Sequence, residues 1–449
     1  MKKGYRQWIH LISSAAVVVA LVIALIRGGV IPRFWESDKT AMAPADEVET
    51  VELPAPQIDP EEETPEQADD SLEQGDPAAD DGQTEDAPED TDETEPETPD
   101  PEQQLQDYLA QDSRSPQEVK GIFVTGAVAG TQNTMPALTQ MVEDTSLNAM
   151  VIDIKNDSGE VTYSMGLPLA EEIGAQTRYV ADMPQLVRQL KEKRIYLIAR
   201  IVAFKDPILA EQKPDYAVKN PDGSVFHDNN DLAWVNPYRE EVWDYLIDLS
   251  KKAVELGFDE IQYDYIRFST ASGIAEADFG EAAKGRTRQD AITGFLTKAY
   301  ETLAPMGVYV SADVFGTIIC NENDGKLIGQ DYVEMAKHCD YICPMVYPSH
   351  YVNNAYGIPV PDAAPYDLIY ASIADGEQKL NAVRETDPQV HIARQRPWLQ
   401  AFTATWVDGH ISYGGQQLQD QIRGAADAGV DEWLLWNAAN NYDKVKSGL

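Results

Sequence analysis

Cysteine is nearly absent from this chain, with only Cys320, Cys339 and Cys343 among 449 residues. So few thiols exclude a disulfide scaffold. Two states are open for them: one bridge from Cys320 to either of the others, or small buried thiols in strands and loops. A zinc role for Cys339-x-x-x-Cys343 lacks partner ligands at suitable spacing. Histidine is also scarce, six in all with no H-x-H or H-E-x-x-H pair, so a metal-dependent hydrolase is disfavoured and no cofactor is expected. No glycine-rich loop of the G-x-G-x-x-G or Walker type follows a strand-like run, which leaves a nucleotide-binding fold without support.

Basic residues are missing over a long stretch. From Thr40 to Ser113 there is no Lys or Arg against 27 Asp and Glu, so the rest of the chain carries only −14 of the formal −41. No basic surface is evident, and a nucleic-acid partner is therefore not expected. The acidic stretch is rich in Pro, Thr, Gln and Ala and almost free of aromatics, so it cannot bury enough apolar area to offset the entropy of ordering. Residues 36–115 are read as a disordered spacer, with a reach on the order of 200 Å at most if largely polyproline-like. A merely solvated tail is the alternative.

The first 35 residues differ again. Met1-Lys2-Lys3-Gly4-Tyr5-Arg6 precedes a run from Gln7 to Ile26 that contains no Asp, Glu, Lys or Arg, long enough to cross a bilayer. Lys2, Lys3 and Arg6 before the run predict a cytoplasmic start and an exported remainder. Arg27 and the bulky Ile31, Phe34 and Trp35 that follow favour an uncleaved anchor in the membrane. Cleavage near residues 41–45, giving a secreted protein, is the alternative.

Residues 116–449 read as one folded domain. Eight short runs rich in Val, Ile, Tyr and Phe occur at 121–125, 149–155, 196–202, 260–266, 308–314, 341–346, 389–393 and 432–436. Helix-like stretches separate them, such as 183–193, 240–256, 287–303 and 416–428. Strand and helix in alternation argue for a parallel sheet, and eight such units in this length predict an α/β protein with a closed (β/α)8 barrel.

In such a barrel the chemistry sits at the C-terminal ends of the strands. Polar and aromatic residues recur there: Asp153, Lys155 and Asp157, then Arg200 with Lys205 and Asp206, Tyr263, Asp264 and Arg267, Asp313, Tyr347 and His350, Arg396, Trp398 and Gln400, and Trp436 with Asn437. Aromatic faces beside fixed Asp, Asn, Gln and Arg groups describe a sugar cleft, so the expected partner is a polysaccharide or oligosaccharide. Alternation turns Gln262 and Asp264 to one face of their strand and Ile261, Tyr263 and Tyr265 to the other; Ser311 and Asp313 share a face in the next run. Neighbouring parallel strands lie about 4.8 Å apart, so Asp264 and Asp313 at one level match the close carboxyl pair of a retaining glycosidase. Arg200 and Arg267 would keep a nearby aspartate ionised, which suits Asp264 as nucleophile and leaves Asp313 as acid/base. The bland alternatives are a structural pair of Asp264 with Arg200 or Arg267, Asp313 as a loop cap, Asp153 and Lys155 in a salt-bridged layer that closes the barrel top, and His350 as a satisfied loop histidine.

Several blocks resemble, in order, the bacterial putative glycosyl hydrolase domain family. They are Val151-Ile152-Asp153-Ile154-Lys155, Ala199-Arg200-Ile201-Val202-Ala203-Phe204-Lys205-Asp206-Pro207, Trp234-Val235-Asn236-Pro237-Tyr238, the segment from Gly257 to Phe268, Pro344-Met345-Val346-Tyr347-Pro348-Ser349-His350-Tyr351, Arg396-Pro397-Trp398-Leu399-Gln400 and Leu435-Trp436-Asn437. The resemblance implies a TIM barrel related to the α-amylase and α-galactosidase group, in which an Asp ending the fourth strand is the nucleophile; by position that is Asp264. Amylase-like enzymes take their acid from a Glu on the fifth strand and galactosidase-like ones from an Asp on the sixth, whereas this chain has Asp313 on the fifth and no carboxylate ending the sixth. Two other classes stay open: a glycan-binding envelope protein without turnover, and an amidase or deacetylase, which would need a metal.

Overall fold

The computed structural model describes residues 118–449. The expected membrane segment and acidic spacer lie outside the described residues. Among the described residues no helix is long and apolar enough to cross a membrane.

Nine strands form one sheet: β1 (Lys120–Val124), β2 (Ala149–Lys155), β3 (Tyr196–Val202), β4 (Glu260–Asp264), β5 (Tyr309–Phe315), β6 (Tyr341–Met345), β7 (Arg394–Gln395), β8 (Trp398–Gln400) and β9 (Trp433–Trp436). Every pairing between them is parallel, and β9 returns to β1, so the sheet closes on itself. β7 and β8 are two halves of one stave beside β6. Proline has no N–H to donate, and Pro397 interrupts the ladder between them. Residues 118–449 form an eight-stave parallel barrel with helices outside it, as the alternation predicted.

The seventh strand departs from expectation. Residues 389–393 form the connection into it, and the stave runs from Arg394 to Gln400 instead. The sequence Arg394-Gln395-Arg396 reads as a polar loop, yet Arg396 is fully buried, because its charge is matched inside the barrel. The fourth strand also stops early, at Asp264, since Tyr265 takes a left-handed backbone with φ of 48°. That conformation is strained for a residue with a Cβ and turns the chain out of the sheet.

Helices cover the outer face. Glu240–Leu256 places Trp243, Leu246 and Ala253 against the sheet and ends at Gly257, whose φ of 100° lets the chain reverse into β4. Arg288–Leu303 starts with a capping box formed by Thr287 and Asp290. The main core lies between these helices and the strands' outward residues, Ile261, Tyr263, Val310, Ala312 and Val314 among them.

The inward residues form a second, smaller cluster that includes Phe123, Val151, Ile198, Cys343 and Trp398. Below it, the barrel floor is ionic. Arg396 Nη1 donates to both Glu260 oxygens at 2.8 Å, Ser311 Oγ and Tyr196 OH donate to the same carboxylate, and the guanidinium lies 3.5 Å from the centre of the Tyr341 ring. The Glu260 oxygens are thus met by four donor contacts, while Arg396 Nε and Nη2 have no hydrogen-bond partner. No disulfide forms: Cys320 is exposed and free, and Cys339 and Cys343 are the buried small thiols of the other reading.

Candidate active site

Alternation along β4 and β5 sets the site. The registers Gln262 with Ser311 and Tyr263 with Ala312 bring the next residues, Asp264 and Asp313, to one level on adjacent staves. Both line a single cleft of about 1030 Å³, open mouth included, at the C-terminal end of the barrel.

Their surroundings differ. Asp264 Oδ2 accepts from Arg200 Nε at 3.0 Å and Nη2 at 2.6 Å, and Oδ1 accepts from the Tyr265 amide at 2.6 Å. Arg200 also donates to Asp153 Oδ1 at 2.5 Å. Burial works against the Arg200 charge, but the Asp153 and Asp264 carboxylates outweigh it and push its pKa up. Asp313 has one modest donor, the Trp398 indole Nε1–H at 2.7 Å to Oδ1, and its Oδ2 has no protein partner. Burial pushes the Asp313 carboxyl well above the ordinary carboxylate range, and the Asp264 charge adds to that. One carboxylate is matched by a fixed cation; the other is biased by burial toward its protonated form and keeps an unpartnered oxygen. Divergent environments of this kind separate a nucleophile from an acid.

Arg200, Arg267, Tyr347, His350, Trp398 and Trp436 join the two aspartates around the cleft. His350 is buried enough that its pKa falls to about 4, and its Nδ1 bonds Ser349 Oγ at 2.9 Å. Phe123 and Trp436 stack at 4.2 Å and flank the Arg200 guanidinium.

The remaining expected site residues lie elsewhere. Asp153 stands behind Arg200 and positions it. Lys155 is fully buried, pairs with Asp206 at 3.0 Å and donates to the Val202 carbonyl; a register shift between Asp153 and Lys155 takes it out of the inward series. Here the salt-bridged layer is what the fold contains. Tyr263 faces outward, as its alternation required, and its hydroxyl bonds Ser250 of the helix Glu240–Leu256 at 2.6 Å. Gln400 accepts from the Ser349 amide and donates to Asp362, fixing two loops. Asn437 donates to the carbonyls of Ala401 and Asn441, holding the turn after β9.

Tyr265, expected beside the rim although alternation turns it outward, reaches the cleft through its left-handed turn. Other cleft residues were not singled out from the sequence. Phe315 lines it too, and could have been found, because it continues the inward series of Ser311 and Asp313. An aromatic path leaves the cleft at Tyr347: Phe402 lies 6.0 Å from that ring and 6.0 Å from Trp406, which it stacks against. Trp406 is 48% exposed, so this path ends as an open apolar shelf. Among the described residues, no group of three or more His, Cys, Asp or Glu side chains could hold a metal ion.

Residues 121–442 match the model of the family described as "Putative glycosyl hydrolase domain". No curated protein matches the chain. Among solved structures, a hypothetical protein from Ruminiclostridium thermocellum is 38% identical, covering 43% of this chain and 97% of that one at a TM-score of 0.40. The PgaB glycoside hydrolase domain from Bordetella bronchiseptica is 12% identical, covering 72% of this chain and 95% of that one at a TM-score of 0.53, a likeness of fold. An α-galactosidase from Thermus thermophilus is 12% identical, covering 77% and 62% at a TM-score of 0.42.

Proposed function

The chain belongs to the putative glycosyl hydrolase domain family, and from that premise we propose that it cleaves glycosidic bonds by a retaining mechanism with Asp264 as nucleophile and Asp313 as acid/base. The observation that carries this reading is the unpartnered Oδ2 of a buried Asp313, whose carboxyl pKa is pushed upward by burial, beside an Asp264 already matched by Arg200.

In the first step the Asp313 proton passes to the glycosidic oxygen as the bond from that oxygen to the anomeric carbon breaks. An Asp264 oxygen attacks the same carbon and forms a glycosyl ester. In the second step the Asp313 carboxylate takes a proton from water, the water oxygen displaces Asp264, and both side chains return to their starting states. Arg200 balances the Asp264 charge before attack and again as the ester leaves. Trp398, Trp436 and Tyr347 offer apolar faces for sugar rings.

The substrate proposed is a cell-envelope or extracellular polysaccharide. Support comes from the N-terminal sequence, in which an uncharged span after Lys2, Lys3 and Arg6 would hold the chain in the membrane and the acidic spacer would carry the barrel away from its outer surface. The Phe402 and Trp406 shelf suits a ligand longer than one sugar. Incubating the full chain with envelope polysaccharides and following the product anomer by NMR tests the mechanism. Retention is expected; an inverted first product would remove Asp264 as nucleophile, and binding without release of reducing ends would favour a glycan-binding role.

A further inference from the structure

Five cations are buried in the described residues: Lys155, Arg200, Lys205, Arg267 and Arg396. Four have a carboxylate partner, namely Asp206, Asp153 with Asp264, Asp157, and Glu260 respectively for Lys155, Arg200, Lys205 and Arg396. Arg267 is the exception. It lines the cleft and is 8% exposed, yet no carboxylate among the described residues lies within ion-pair distance. Its Nη1 donates to the Phe268 carbonyl at 2.9 Å.

Aromatic faces surround it instead. The guanidinium lies 4.7 Å from the Phe315 ring centre, 4.9 Å from Tyr265 and 5.1 Å from Trp234. Those rings fix its position and offer some attraction, but they accept no N–H bonds in its plane. A buried cation without a matching anion is costly. Asp264 cannot easily serve, because its Oδ2 is taken by Arg200 and its Oδ1 by the Tyr265 amide. The open side of Arg267 is the cleft itself.

We propose that Arg267 receives a carboxylate carried by the sugar bound in the cleft, so that the substrate is an acidic glycan. The proposal rests on the glycosidase reading only for the ligand being a sugar. A planar guanidinium fork matches a carboxylate with two parallel hydrogen bonds. Sugars that carry such a group include a uronic acid, with the carboxylate at C6, and a sugar bearing a lactyl ether.

The test uses matched pairs that differ only in the acid, D-glucuronate against D-glucose and N-acetylmuramate against N-acetylglucosamine. Each is titrated into the full-length chain by tryptophan fluorescence, since Trp234, Trp398 and Trp436 lie at or beside the site. The acid of one pair is expected to bind about tenfold or more tightly than its neutral partner, and the pair that shows this identifies the source. The ratio should collapse in Arg267→Met and shrink in Arg267→Lys, which keeps charge and loses the fork. If Arg267→Met does not fold, as judged by circular dichroism, Arg267→Lys carries the test. Equal binding within both pairs, no binding of either acid, or a preference unchanged in the folded variants overturns the proposal. An acid preference without hydrolysis of any glycan would sink the glycosidase reading alone, and hydrolysis without acid preference would sink this inference alone.

Discussion

The Trp398 indole donates to Asp313 Oδ1 at 2.7 Å and leaves Oδ2 of the same carboxyl without a protein partner. The hydrogen bond fixes the carboxyl plane from one side, so the proton can sit on the other oxygen. Trp398→Phe removes the donor and keeps much of the ring. It is expected to lower kcat while KM moves less, and to raise the pH at which activity fades, because a donor that favours the ionised form is gone. A pH–rate profile of both proteins reads this.

Asp313→Asn should lower kcat on natural linkages by about 10²–10⁴, the usual size of general acid catalysis. Its effect on kcat/KM, which reports the first step, should shrink on an aryl glycoside whose leaving group needs no proton, while kcat stays low because the second step still lacks its base. Equal losses in kcat/KM on both substrates would remove the acid role from Asp313.

The same residue sets a stability trend. Its folded pKa is raised above the unfolded one, so the folded protein keeps a proton that the unfolded chain has released. Its contribution is therefore fully present at pH below the ordinary carboxylate range and is lost as pH rises toward the raised value. Asp313→Asn should be more stable than the parent near neutral pH by on the order of 1 kcal/mol, with the gap narrowing on acidification. His350 works in the opposite direction. Its pKa falls from 6.5 to about 4, so the unfolded chain takes up a proton in that window and stability drops as pH falls through it. Thermal melts of Asp313→Asn and His350→Gln against pH separate the two.

The ionic floor predicts a large stability cost when either partner is lost. Arg396→Met leaves Glu260 buried without its cation and should cost about 3–5 kcal/mol, as should Glu260→Gln to a similar order. Denaturant melts measure this, and a loss below 1 kcal/mol in both would contradict it.

Trp406→Ala should weaken binding of long glycans by about 1 kcal/mol or more, in line with the loss of a stacked aromatic contact, and leave a monosaccharide unaffected. Calorimetry on a length series distinguishes a shelf that takes sugar from a ring that only packs on Phe402.

Much of the architecture was legible because strand and helix periods survive in the sequence. The inward setting of Asp264 and Asp313 followed from simple alternation, as did the outward setting of Tyr263, which the sugar-cleft argument nonetheless enlisted. What alternation could not reveal were local breaks in it. The register shift beside Lys155 sends that side chain to Asp206, and the left-handed Tyr265 brings an apparently outward ring into the cleft. Both depend on tertiary packing and leave no periodic trace. The seventh stave was missed for another reason: Arg396 reads as solvent-facing until Glu260, more than a hundred residues earlier, is known to meet it.

With Asp264 as the attacking carboxylate, its loss should abolish turnover. Reducing-end release is compared for the full chain and for Asp264→Asn on a polysaccharide the parent protein cleaves. A fall of on the order of 10³-fold or more is expected, with the folded barrel retained by circular dichroism. Turnover within a few-fold of the parent would contradict that role.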